Sequence, residues 1–196
     1  MTITYRIERD EYPESPRDWD NFGTMICFHG RYVLGDKDHG FRDSDYNGWD
    51  ELHGALKKQY AVILPVYMYD HSGLTVRTTP FSCPWDSGQI GFIAVTREKI
   101  LAEYGGKHLT KNLVTAAEQL LKSEVHAYDQ YLSGDVWGYI IEEDGEFLDS
   151  CYGFFGEDYC EAEAKEALKH YQAKETSKPS VNSRLDNLRM PHLHGD

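Results

Sequence analysis

The chain has 196 residues, of which 40% are hydrophobic and 13% aromatic, and a formal net charge of −13. This length and hydrophobicity suit one folded domain with a real core and exclude an intrinsically disordered chain. The excess of negative charge disfavours direct contact with nucleic-acid phosphates or anionic lipid.

Residues 1–10 are polar and lack the apolar core of a signal peptide. No apolar run reaches the roughly 20 residues needed to span a bilayer. A cytoplasmic protein with no membrane partner is expected, and Cys27, Cys83, Cys151 and Cys160 are then reduced thiols whose spacing selects no pairing.

Ile3, Tyr5 and Ile7 alternate with polar neighbours and predict a half-buried strand, ended by Pro13 and Pro16. A second strand is expected over 24–32, then a Gly- and Asp-rich loop over 35–48. Trp49, Leu52 and Leu56 recur at helical spacing, with Asn47 as the expected N-cap. The apolar run 61–69 reads as a strand, in which Pro65 signals an edge or a bulge. A turn at 70–73 leads to a returning strand over 74–79, and 89–95 makes another. Thr96 can cap a short helix that ends at Gly105.

A long helix is predicted over 111–131, with Leu113, Ala117, Leu120, Leu121, Tyr128, Tyr131 and Leu132 on one face. Segments 137–142 and 146–154 read as a hairpin around Asp144-Gly145, a type I′ signal. Asp158 and Glu161 form a capping box that opens a last helix to about residue 173, with Cys160, Ala164, Ala167, Leu168 and Tyr171 on one face. The expectation is an α+β fold: an antiparallel sheet built from hairpins with about four helices packed on it. A single domain spans 1–173 and a flexible tail 174–196. The basic residues Lys169, Lys174, Lys178, Arg184 and Arg189 near this end are interrupted by Glu175 and Asp186 and read as solvated.

Two segments carry residue types suited to chemistry. Asp43, Asp45 and Asn47, followed by Gly48 and then Asp50, match the first half of a calcium loop, in which alternate side-chain oxygens converge on one hard cation. The twelfth position is Gly54 rather than a bidentate glutamate, and a polar loop before a helix accounts for the same residues. In the run 78–89, Cys83 is a candidate nucleophile if His71 serves as its base and Asp86 orients that base. A free cysteine is more commonly a small buried hydrophobe. His29, His39 and His53 share no metal-ligand spacing; His192 and His194 with Asp196 could bind a transition metal weakly, but as part of a tail they read as incidental, and no phosphate-binding glycine loop is present.

The strongest signal is electrostatic. From Asp135 to Glu163 there are ten carboxylates and no lysine or arginine, including Glu142, Glu143, Asp144, Glu146, Asp149, Glu157, Asp158 and Glu161. Acidic residues are ordinary at a helix N-terminus, but surfaces normally mix signs. With Trp137 and Tyr139 as aromatic anchors, this stretch is expected to bind a basic protein surface.

Segments 15–25, 69–73 and 79–88, together with the Trp137 hairpin, resemble a family of phage and mobile-element accessory proteins without established activity. The resemblance implies expression in the cytoplasm of a bacterial host. The expected function is then a non-enzymatic, anti-defence DNA mimic, anti-CRISPR or antirestriction in kind. Such a protein occupies the Lys/Arg channel of a nucleic-acid-binding host effector. The alternatives are a hydrolase or transferase at Cys83 and a calcium-binding module at 43–51.

Overall fold

The structure, a computed structural model, describes residues 2–177. Seven strands and four α-helices appear in the order β1 (Ile3–Arg9), β2 (Thr24–Cys27), α1 (Trp49–Leu56), β3 (Val62–Asp70), β4 (Leu74–Arg77), β5 (Ser87–Val95), α2 (Arg97–Tyr104), α3 (Lys111–Ser133), β6 (Val136–Glu143), β7 (Glu146–Phe155) and α4 (Glu157–Ser177). The α+β expectation holds, with a difference in layout. The strands form two antiparallel sheets, β1-β6-β7 and β2-β5-β3-β4. The expected tail begins inside α4, and its remainder lies outside the described residues.

The second sheet holds the main core because both of its faces are covered. Ile93 and Val95 of β5 pack with Ala117, Leu121, Val125 and Tyr128 of α3. The alternate residues Phe92 and Ala94 pack with Leu52 and Leu56 of α1. This follows from the near-continuous apolar run of β5, which has no polar face to leave in water. Pro65 sits on β3 opposite Phe92, beyond the reach of β4, which pairs only with residues 67–70; a bulge follows at Val66/Tyr67. The proline therefore lies where no ladder donor is required.

Thr96 and Thr110 cap α2 and α3 by accepting from the amides of Lys99 and Leu113. Gly134 closes α3 in the left-handed region. Two expected caps are corrected. The residue before α1 is Gly48, and both the backbone amide and the side-chain nitrogen of Asn47 donate to Glu51, so Asn47 caps nothing. Helix α4 starts at Glu157 behind Gly156 (φ 93°), which places Asp158 inside the first turn rather than at the cap.

The first sheet is thinner. Helix α4 lies across one face, with Cys160 and Ala164 fully buried beneath it. Strands β1 and β7 are its two edges. A buried arginine fastens the segments flanking β2 to α3: Arg17 holds both oxygens of Asp36 (2.7 and 2.9 Å), Glu124 of α3 (3.1 Å) and the carbonyl of Gly23 (2.8 Å). Among the described residues no helix is long and apolar enough to cross a membrane.

Candidate functional site: the acidic hairpin of the first sheet

The turn between β6 and β7 follows from its two residues. Asp144 (φ 50°) and Gly145 (φ 88°) both occupy the positive-φ region that a two-residue type I′ hairpin requires. Asp144 is also tied to the start of β1: its amide donates to the Thr2 carbonyl (2.9 Å) and its side chain accepts from the Thr2 amide (2.7 Å). It is a structural residue of the turn as well as a charge.

The ten carboxylates do not form one patch. The hairpin and α4 spread them along the sheet, and some of them meet a cation or a hydroxyl, near or far in sequence. Glu142 takes Arg6 (3.2 Å), Glu161 takes Lys165 (3.0 Å), and Asp149 accepts from the hydroxyl of Tyr171 (2.6 Å). Asp135 accepts from the Trp137 indole (2.8 Å) and from Gln130 (3.2 Å). The side chains of Glu143, Glu146, Glu157, Asp158 and Glu163 make no hydrogen bond or ion pair among the described residues. The lysine of the Glu161 pair also holds that carboxyl below its ordinary range, and the Tyr5 hydroxyl adds to the effect.

Trp137 and Tyr139 are not presented as anchors. Trp137 is half-buried, with the Arg9 guanidinium 4.6 Å over its ring. Tyr139 stacks on Phe154 at 5.5 Å, and burial raises its hydroxyl above the ordinary tyrosine value. The exposed apolar residues of the hairpin are instead Phe147 (69%) and Leu148, beside Glu146 at the turn, with Tyr152 further along β7. Phe147 and Tyr152 belong to the aromatic residues interspersed with the acids of this stretch, and the sequence leaves open which of them face solvent; Leu148 lies outside that set. Phe147-Leu148 and Phe154-Phe155 break the period of two, as an edge strand with an apolar step turned to solvent does.

The cysteine candidates do converge. Asp86 stands 3.4 Å from Nδ1 of His71 and 3.7 Å from Sγ of Cys83. Tyr69 stacks on both His71 and Phe81, which holds the 79–88 loop over the β3–β4 turn. The order is Cys–Asp–His, with the carboxylate between sulphur and imidazole. Thiolate activation calls for a base or cation at the sulphur itself. At the 43–51 loop, residues 43–45 form a short 3₁₀ turn with exposed side chains. Among the described residues no group of three or more His, Cys, Asp or Glu is placed to hold a metal ion.

Comparison with protein-family models, with curated proteins and with solved structures gives no match for this chain. The resemblance of segments 15–25, 69–73 and 79–88 is taken no further by them. Segment 15–25 has a structural account: it carries Arg17 and Gly23, whose Cα lies so near α3 that a Cβ would fall 2.3 Å from Leu121.

Proposed function

We propose that this protein is a non-enzymatic binder of basic protein surfaces, with the β6–β7 hairpin as its contact edge. The observation that carries the reading is the hairpin end itself. The side chains of Glu143 on β6 and Glu146 on β7 stand there without partners, next to exposed Phe147 and Leu148 of β7, which is an edge strand. Unpaired carboxylates around an apolar step suit a cationic surface: charge steers the encounter and the apolar residues supply buried area. A net charge of −13 supports the same polarity.

The class of partner is a nucleic-acid-binding effector of a bacterial defence system, CRISPR or restriction, whose channel is lined with lysine and arginine. Carboxylates strung along the sheet then compete for the sites that phosphates occupy. The test uses purified effectors of both kinds, titrated with this protein in the presence and absence of their own DNA or RNA. Binding is expected to be displaced by nucleic acid and to weaken steeply with salt. The double variant Glu143→Lys/Glu146→Lys is expected to weaken it further. Salt-insensitive binding, or full affinity in the charge-reversed hairpin, overturns the reading.

A further inference from the structure

The end of the first sheet opposite the hairpin turn holds a second acidic surface, on the face away from α4. Strand register puts Glu8 across from Gly138, and Gly138 across from Tyr152. The Tyr152 ring lies flat on Gly138, where a Cβ would fall 2.0 Å from the ring, and its hydroxyl donates to Glu8 (2.6 Å). Past Arg9 the chain bonds once more to β6, from the Asp10 amide to the Val136 carbonyl (2.9 Å). It then turns at Asp10, whose carboxylate accepts from the Tyr12 amide (3.0 Å). The 3₁₀ turn Pro16–Asp18, anchored by Arg17, delivers Trp19 edge-on to Phe155, with centroids 5.6 Å apart and planes at 83°.

These residues enclose a cleft of about 300 Å³ lined by Tyr12, Trp19, Tyr152 and Phe155, with Asp10 and Glu14 among its polar groups. Tyr12 is 87% exposed and Trp19 51%, so neither ring is spent on the core. No lysine or arginine is in that lining. The neighbouring cations are engaged elsewhere: Arg6 with Glu8 and Glu142, and Arg9 with the Trp137 ring and the Gly134 carbonyl.

Aromatic faces carry negative potential, four aromatic residues line this cleft, and the carboxylates add to the field there. An anion is repelled from such a cleft, and a neutral apolar ligand would leave the carboxylates desolvated without a partner. A flat guanidinium satisfies both requirements, because it stacks on an aromatic face while its N–H groups reach carboxylate oxygens. We propose that this cleft is an arginine pocket, taking one arginine side chain from an extended segment of a basic partner protein. The proposal rests on the basic-partner reading above but uses the other end of the sheet, about 30 Å along β7 from the hairpin turn.

The test is a chemical-shift titration of the isotope-labelled full chain with three small probes: N-acetyl-arginine amide, the lysine analogue, and the uncharged citrulline analogue. The arginine probe is expected to give saturable shifts at the Trp19 indole N–H and at the Tyr12 and Gly153 amides. The lysine probe is expected to bind more weakly, and citrulline to leave these signals in place. Tyr12→Ala, at a site too exposed to bear on folding, is expected to weaken the arginine probe about two- to fivefold. Glu14→Gln is expected to weaken it in the same direction.

Equal shifts with citrulline, absence of shifts with arginine, or an unchanged response in Tyr12→Ala overturns the pocket. The hairpin variant Glu143→Lys/Glu146→Lys separates the two ideas. If it abolishes effector binding while the arginine probe still saturates the cleft, both stand. If the probe binds but no basic effector does, the functional reading fails alone and the pocket survives.

Discussion

Replacing Arg17 with methionine tests whether the buried ion network is what fastens the segments flanking β2 to α3. The Arg17 side chain is 3% exposed and makes four hydrogen bonds, two to Asp36, one to Glu124 and one to the Gly23 carbonyl. Methionine keeps most of the stem but leaves both carboxylates without their counter-ion. Breaking a buried pair from one side costs about 3–5 kcal/mol. The loss is cushioned because Asp36 still accepts from the Met25 amide, and Glu124 from the amides of Phe22 and Gly23. We therefore expect a loss of about 3 kcal/mol, the lower end of that range. Asp36→Asn and Glu124→Gln, which each leave Arg17 one carboxylate, are expected to cost about 1.5–3 kcal/mol apiece. The assay is urea unfolding followed by circular dichroism, with double variants to extract a coupling of at least about 1 kcal/mol. If Arg17→Met lies within about 1 kcal/mol of the parent, desolvation cancels the attraction and the network is not what fastens these segments to α3.

Other outcomes follow from single positions. Gly91→Ala places a Cβ 1.9 Å from the Ile26 carbonyl oxygen and 2.8 Å from the Cys27 Cα, both backbone atoms that cannot swing aside. A loss above about 3 kcal/mol is expected in thermal unfolding, and an unchanged melting temperature would refute the packing of β2 on β5. Burial lowers the titration of His39 below 6.5, and Nδ1 of this ring accepts from the Phe41 amide (3.1 Å). The unfolded chain then binds more protons than the folded one just below pH 6.5, so stability is lost as pH falls through that window. His39→Gln should flatten that loss, and an identical pH profile would count against it. Burial pushes the Cys27 thiol up to about 12 and the fully buried Cys160 to about 11. A disulfide reagent at neutral pH should therefore titrate Cys151 and Cys83 in the native protein, and the other two only after unfolding. A Cys83 that outpaces Cys151 manyfold would instead favour the hydrolase alternative. Millimolar calcium is expected to leave the melting temperature unchanged, since any ion bound only by the native state must raise it.

Local chemistry was the legible part of the fold. Asp144-Gly145, Thr96 and the apolar stripe of α3 each act within a few residues of themselves, and each is where the pattern puts it. The two-sheet layout was not legible, because it depends on β1 pairing with β6 across more than a hundred residues of chain. Arg17 could not be recognised for the same reason: its partners lie 19 and 107 residues away. Of the candidate site, the acidic charge was visible in the sequence and its distribution was not. Ten carboxylates without a cation between them read as one field, but a hairpin followed by a returning helix spaces them along a sheet, the fold brings Arg6 to Glu142, and Lys165 pairs with Glu161 one helical turn on.

That spacing bears on how the surface can act. A single dense patch would bind by charge alone, with little orientation and an affinity that salt removes. Here the unpaired carboxylates sit at the hairpin end and near the start of α4, and an exposed aromatic or apolar residue stands beside each group: Phe147 at one, Tyr159 at the other. Tyr12 and Trp19 add a third apolar contact from the segment that Arg17 anchors. Contacts this far apart define an axis, so a partner would need cationic groups at matching separations. Charge then supplies the approach and the aromatic contacts fix the register. The consequence is measurable in kinetics. Neutralising Glu143 and Glu146 should slow association and reduce its salt dependence, whereas Tyr12→Ala should mainly speed dissociation. If both variants changed only the association rate, the surface would be a field without anchors, and the arginine pocket would have no place in it.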